Sequence, residues 1–289
     1  MREIKILAIL VIIVGVIYWG VEPLAHSVFH PPKAPADYDF SDVKELQVAM
    51  QGNVEAGKTL IEENCAACHN TKTSEADLKV RNTDGVQGPD LDTMAYLYSP
   101  QFLSAFLKNP LHVVKLEEKL KGKEDRYQMS SLAGMFEDQQ IADMLAYLSS
   151  IAPKEMSDRE VFIDACSRCH DIKYDGVSGL KGIKVASPAN IVQEYLGAPA
   201  PDLSTMFRSK GEHYLSLFIN DPQKMLPGAS MPRIGLNQKA EKQVLSYMEK
   251  IADSKKEERE SLGKKIIIFM LAMAVLAYLW KRKIWKELH

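Results

Sequence analysis

The sequence predicts an all-α chain in which two tandem helical domains lie between two apolar helices. Three observations predict this. An apolar run sits near each end of the chain. A sequence repeat of about 100 residues fills the space between them. Each copy closes in an amphipathic helical pattern, and the segments ahead of the cysteines look helical, with no strand before them. The expected division is an N-terminal anchor at 1–25, a linker at 26–50, domains at 51–153 and 154–254, and a C-terminal anchor at 262–285.

The first apolar run, Ile4 to Val21, is about 18 residues long, close to the roughly 20 that cross a bilayer core as a helix. A cleaved signal peptide is the competing reading, but the run is long and no clear A-x-A site follows it. Pro31, Pro32 and Pro35 with the acidic "DYDFSD" then suggest an extended linker. The first copy of the repeat opens near Asn53 and contains "GPDLDTMAYLYSPQFLSAFLKNP" from Gly88 to Pro110. It closes in "EDQQIADMLAYLSSIA", where Ile141, Leu145 and Leu148 fall at helical spacing. In the second copy, "SDRE" at Ser157–Glu160 reads as a capping box. "APDLSTMFRSKGEHYLSLFINDP" follows from Ala200 to Pro222, and Val244, Met248 and Ile251 mark the closing helix. The last apolar run, Ile266 to Trp280, is short for a span, but Leu262 and Trp285 could extend it with lysines snorkelling at the edges.

Charge places these parts. Arg2 precedes the first run and Lys5 opens it, and Lys281, Arg282, Lys283 and Lys286 follow the second. The positive-inside rule then puts both termini in the cytoplasm and the body between them outside it, with Lys264 and Lys265 on the unfavoured side. The net charge of −2 carries no bias towards polyanions, and no nucleic-acid motif is present.

The chain has four cysteines, and all four fall in two C-x-x-C-H motifs: Cys65, Cys68 and His69 in "NCAACHN", and Cys166, Cys169 and His170 in "ACSRCHD". A four-cysteine zinc site usually spaces its pairs by roughly 15–20 residues, and here the pairs stand about 100 apart. A dithiol redox motif prefers a strand–helix context. Covalent haem fits best. Two thiols two residues apart reach the two vinyl groups of one porphyrin, and the adjacent imidazole is held beneath the iron. The expected cofactors are therefore two covalently bound haem c groups. Thioether bonds also remove the cysteines from disulfide chemistry outside the cytoplasm.

A C-x-x-C-H near the start, a P-D-L turn, a late methionine and a closing helix together resemble a class I cytochrome c domain in both halves. "PDLSTMFRSKGEHYLSLF" and the C-terminal apolar helix with its basic tail are similar to cytochrome c1. The whole chain resembles the dihaem cytochrome c1-type subunit of a bacterial quinol–cytochrome c oxidoreductase. It departs from ordinary cytochrome c1 in its second haem domain and N-terminal anchor. The resemblance implies that Met129 and Met231 are the second axial ligands opposite His69 and His170. Met135 and Met225 are their rivals, and "MP" at Met231–Pro232 is the family-like form. It also implies that the carbonyls of Pro89 and Pro201 accept the proximal ring N–H. His112 and His213 read as surface histidines. Met94 and Met206 read as packing residues, and Tyr147 and Tyr247 as residues that pack against the haem-bearing helix.

The expected function is electron transfer from an iron–sulfur partner to a c-type cytochrome or terminal oxidase. No residue is expected to be catalytic on its own. The implied partners are a membrane cytochrome b, a Rieske-type protein and the lipid bilayer, in the inner membrane of a bacterium with the haem domains on the periplasmic side. The alternatives are the dihaem subunit of a cbb3-type oxidase, expected to be anchored only from its N-terminal side, and a dihaem redox enzyme of peroxidase or thiosulfate dehydrogenase type.

Overall fold

The computed structural model describes residues 2–29, 34–48, 51–70, 88–178 and 189–287. The fold is all-α. Among the described residues no strand forms, and one isolated antiparallel bridge joins Tyr98 to Leu236. Residues 1–36 and 37–289 form two separate units.

The first unit is one helix, α1 (Arg2–Phe29), longer than the apolar run that signals it. Its ladder slips to a π turn over Ile17–Val21, where the Glu22 N–H reaches the Ile17 carbonyl. Pro23 follows directly and has no N–H to give the preceding turn, which accounts for the slip. No side chain of α1 is buried.

In the second unit the helices of eight or more residues are α2 (Val54–Asn64), α3 (Pro100–Lys108), α4 (Asp138–Ile151), α5 (Asp158–Cys166), α6 (Ala189–Leu196), α7 (Glu212–Asn220), α8 (Gln238–Ala252) and α9 (Lys256–Glu287). Each start has a chemical reason. Asn53 caps α2 by accepting the Glu55 and Ala56 amides at 2.9 and 3.1 Å. Ser99 caps α3, with Pro100 at its first position. Ser157 and Glu160 exchange hydrogen bonds at the start of α5, the capping box expected there. Asn237 caps α8. The N-P and D-P pairs that end the matching stretches 88–110 and 200–222 are also caps: Asn109 accepts the His112 amide and Asp221 the Lys224 amide, each with proline at the first helical position.

The closing helices bury the faces their spacing marks. In α4, Ile141, Leu145 and Leu148 are buried, and in α8 Val244, Met248 and Ile251 are buried. α2 lies against α4, and α5 against α8. Gly57 makes the first contact possible, because a Cβ there would stand 1.9 Å from the Asp143 carbonyl oxygen. In the second contact the Tyr247 ring meets Phe162 of α5 at 5.2 Å, the packing role expected for this tyrosine.

The two repeats share one continuous hydrophobic cluster rather than two separate cores. Backbone bonds also cross between them. The Asn237 amide donates to the Leu97 carbonyl at 2.9 Å, and the Arg233 amide donates to the Val114 carbonyl at 3.0 Å. The acidic stretch expected to be an extended linker is folded into this junction. Ser41–Leu46 is a 3-10 helix. Phe40 and Val43 are buried, and the Phe40 ring lies 4.9 Å from Phe102. Phe40 holds φ at +50, a conformation bulky residues seldom adopt and which only firm surroundings maintain.

One ion cluster fastens that segment to both repeats. Both Asp42 oxygens accept from the Arg233 guanidinium, 191 residues away. Lys115 of the first repeat pairs with Asp42 and with Asp221 of the second. Burial alone would raise the Asp42 carboxyl, but the hydrogen bonds and charges of Arg233 and Lys115 outweigh it and bring its pKa from 3.8 to about 2. A carboxylate depressed in the folded state contributes stability that is present above its unfolded value and lost as pH falls through its folded one. Between pH 4 and pH 2, Asp42→Asn should therefore show a shallower fall in thermal midpoint than the parent chain. Equal slopes for the two proteins over that window would remove Asp42 from the acid response.

α9 is one helix of 32 residues, about 48 Å long at 1.5 Å per residue. The apolar run that looked short is thus extended by helical residues on both sides. Arg259 pairs with Asp253, and Lys256 with Glu249, at the junction with α8. α1 and α9 are long and apolar enough to cross a membrane, and their apolar side chains are exposed.

Candidate functional site: two pinned histidines beside paired thiols

The Cys65 amide ends α2 on the Ile61 carbonyl, and the His69 amide turns back to the Cys65 carbonyl at 2.9 Å. The second motif repeats this turn at the end of α5, with the His170 amide on the Cys166 carbonyl at 3.0 Å. Each histidine then meets its P-D-L turn. His69 Nδ1 lies 2.8 Å from the Pro89 carbonyl oxygen, and His170 Nδ1 lies 2.8 Å from that of Pro201. A carbonyl can only accept, so Nδ1 carries the proton and Nε2 keeps its lone pair for a metal. The backbone holds each turn in place, through the Leu91 amide on Asn70 and the Leu203 amide on Asp171.

The electrostatics agree with neutral ligands. Burial lowers the pKa of both rings, the Pro89 and Pro201 bonds working against it. An imidazole must be unprotonated to bind iron. Burial also pushes the Cys65 thiol up to about 11 and the Cys166 thiol up to about 12. A dithiol redox motif works through depressed thiol pKa values, and these are shifted the other way. Among the described residues no three Cys, His, Asp or Glu side chains form a metal-holding group, so the four thiols do not converge on one tetrahedral site.

The methionines differ in placement. Met129 sits in the short 3-10 helix Gln128–Leu132, half-buried against the hydrophobic core, whereas its rival Met135 is 53% exposed. Met231 is half-buried against the same core. Its rival Met225 is also half-buried. Met94 is buried, in keeping with packing. His112 is paired with Glu117 at 2.9 Å, and His213 is exposed.

The two sites are not identical. His69 is buried and His170 half-buried. A Cβ at Gly88 would lie 2.7 Å from the Cys68 carbonyl oxygen and 2.9 Å from His69 Nδ1. The second repeat has Ala200 at the matching place. A thioether-bound porphyrin fits what is present at both: paired thiols on one turn, an imidazole with its Nε2 free, and a half-buried methionine. Sequence reading did not single out Arg168, one of the two spacer residues of the second motif. It is half-buried, and its Nη1 is shielded from solvent without a hydrogen-bond partner among the described residues.

Comparison with known proteins gives two family matches. Residues 54–152 match the family described as cytochrome c, and residues 234–288 match the cytochrome C1 family. The first match contains Cys65, Cys68, His69 and Met129. The second begins three residues after Met231 and runs through α8 and α9. The chain is similar to a solved structure titled "Hyperthermophilic respiratory Complex III", at 25% identity over 46% of this chain and 75% of that one, with a TM-score of 0.34. That superposition is too loose for the arrangement of one to be read from the other. No curated protein matches the chain. The chain thus contains a cytochrome c domain, an electron-transport domain whose cofactor is covalently bound haem c.

Proposed function

We propose that the chain is a membrane-anchored dihaem c-type cytochrome, acting as the cytochrome c1-type subunit of a bacterial quinol–cytochrome c oxidoreductase. The observation that carries this reading is the cytochrome C1 match running from the last loop of the second repeat through α8 into the apolar helix α9. It joins a haem-domain ending to a membrane-length helix, as a c1-type subunit requires. The duplicated histidine–proline contact, 2.8 Å in each repeat, supports a haem in both 51–153 and 154–254.

In this reading Cys65 and Cys68 hold one haem, and Cys166 and Cys169 hold the other. His69 and His170 are the proximal iron ligands. Met129 and Met231 would supply the second ligands, and His–Met ligation would raise the potential relative to two histidines. Each haem, when bound, would supply a one-electron couple. The chain's own residues fix ring orientation, through the Pro89 and Pro201 carbonyls. The donor would be a Rieske-type iron–sulfur protein held beside a membrane cytochrome b, and the acceptor a c-type cytochrome or terminal oxidase. The basic residues outside each apolar run support cytoplasmic termini and a periplasmic body. α9 counts against the cbb3-type arrangement, which is expected to be anchored only from its N-terminal side.

Purification of the full chain in mild detergent tests the proposal. A membrane cytochrome b and a Rieske-type protein should co-elute with it. Co-elution with a copper–haem oxidase subunit would replace it with the cbb3 reading. A chain that elutes alone and binds carbon monoxide would point to an enzyme with an open iron.

A further inference from the structure

We propose that Asp42 and Lys119 are positioning residues for Met231, gripping the loop of the second site on either side of its iron ligand although neither belongs to the second repeat. The proposal rests on covalent haem in the second repeat and on Met231 as its ligand. Met231 lies in "LPGASMPRIG", Leu226 to Gly235, between the short helix Pro222–Met225 and α8. This stretch forms no helix, holds two glycines at positive φ and has two prolines without an N–H to give. Its own repeat contributes Gln223, whose Nε2 donates to the Met231 carbonyl at 2.6 Å. Ahead of Met231, Lys119 Nζ of the first repeat donates to the Gly228 carbonyl at 3.1 Å and to the Ser230 hydroxyl at 2.6 Å. Behind it, the Arg233 amide donates to the Val114 carbonyl at 3.0 Å, and the Arg233 guanidinium donates to both Asp42 oxygens.

The grip behind Met231 is the stronger of the two. Arg233 is only 4% exposed, and its guanidinium lies over the Phe40 ring at 5.8 Å. Removing the carboxylate from a buried pair leaves a charge without its compensation, so loss of Asp42 displaces Arg233 towards water. Pro232 alone stands between Arg233 and Met231, and its ring fixes φ, so a shift of Arg233 is passed on to Met231. Lys115 ties the same Asp42 to Asp221, which caps the short helix leading into the loop. A thioether is neutral and brings no charge of its own to a metal. Its hold on iron therefore depends on where the loop places it, and the loop is placed by residues outside its own repeat.

The test uses the full chain in detergent, reduced, with carbon monoxide as the probe of an open iron. Haem content is read first by mass, and a parent chain with a single haem ends the dihaem reading and this inference with it. Met231→Ala should take up one equivalent of carbon monoxide promptly, which marks the second site opened. If it binds no more than the parent, Met231 is not the ligand and the inference falls while the dihaem reading stands. Asp42→Ala, with Met231 in place, should bind that equivalent about tenfold faster than the parent, because losing one hydrogen bond to a charged group moves an open–closed equilibrium by about that factor. Lys119→Met removes a more exposed contact and should quicken binding by about two- to threefold. Asp42→Ala added to Met231→Ala should change nothing further, since the ligand it positions is gone. An acceleration that persists in the double variant belongs to the fold as a whole and overturns the proposal. A rate unmoved in Asp42→Ala or in Lys119→Met overturns the assignment of that residue, so either variant decides its own part where the other fails to fold.

Discussion

Cys166→Ala combined with Cys169→Ala should yield a chain lighter by one haem, with half the parental haem absorbance, while Cys65→Ala with Cys68→Ala should lose the other half. The two attachment turns lie in different repeats, and each histidine is oriented by its own proline carbonyl. Removing one pair of thiols therefore leaves the other pair and its ring in place. The effect on the fold should be large as well. Truncating one buried aromatic side chain costs about 3–5 kcal/mol, and a porphyrin fills more space than any side chain. The single-haem chain should lose more than about 5 kcal/mol, read as a lower denaturation midpoint. Mass spectrometry decides the first point. An unchanged mass in either double variant would mean that those thiols carry no haem, and would return the dithiol reading to consideration.

What could be read from the sequence was local. The C-x-x-C-H turn, the Ser157–Glu160 cap and the faces of α4 and α8 each lie within a few residues of one another. Hydrogen bonds and helical spacing act over that range, so pattern and structure coincide. The repeat carried this reading from one half to the other, including the N/D-P pair that proves to be a helix cap. What could not be read depends on distant partners. The stretch 37–46 has the composition of a linker, and its burial follows from a slot formed by residues such as Phe102, Asn220 and Arg233. No periodicity reports a salt bridge between residues 191 positions apart. The start of α9 was hidden for another reason: Lys256 to Ser261 is polar and carries no apolar signal, yet its backbone continues the helix.

The fusion of the two repeats bears directly on the sites. Tyr98 bridges to Leu236 of the second repeat and stacks on Phe102 of its own at 5.6 Å. Phe102 in turn closes on Gly235, where a Cβ would lie 2.0 Å from the ring. Gly235 also holds φ at +77, so glycine is required there both for backbone conformation and for space. It stands four residues after Met231. The loop that carries the proposed ligand of the second site is thereby positioned by an aromatic side chain of the first repeat. A rigid junction of this kind would keep the two proposed haem sites at a fixed separation.

Gly57→Ala should be strongly destabilising, although helix propensity alone predicts the opposite. Alanine is favoured over glycine in a helix interior by about 1 kcal/mol. Against that stands the contact of α2 with α4. The added Cβ would lie 1.9 Å from the Asp143 carbonyl oxygen and 2.5 Å from its carbonyl carbon, and both are backbone atoms that cannot swing aside. The helices must separate, and overpacking a close contact costs about 1–3 kcal/mol or more. Separation also strains the polar join beside it, where Asp143 Oδ1 accepts from the Asn53 amide at 2.7 Å and from Gln139 at 2.9 Å. A buried partner left unsatisfied there adds about 1–3 kcal/mol. The net loss should be about 2–4 kcal/mol, measurable as a lower midpoint in chemical denaturation. The change should also reach the site, since α2 ends at Cys65 and its displacement moves Cys68 and His69 against the Pro89 turn. The first haem's spectrum should broaden while the second's holds. A Gly57→Ala chain as stable as the parent would show that α2 and α4 do not approach this closely.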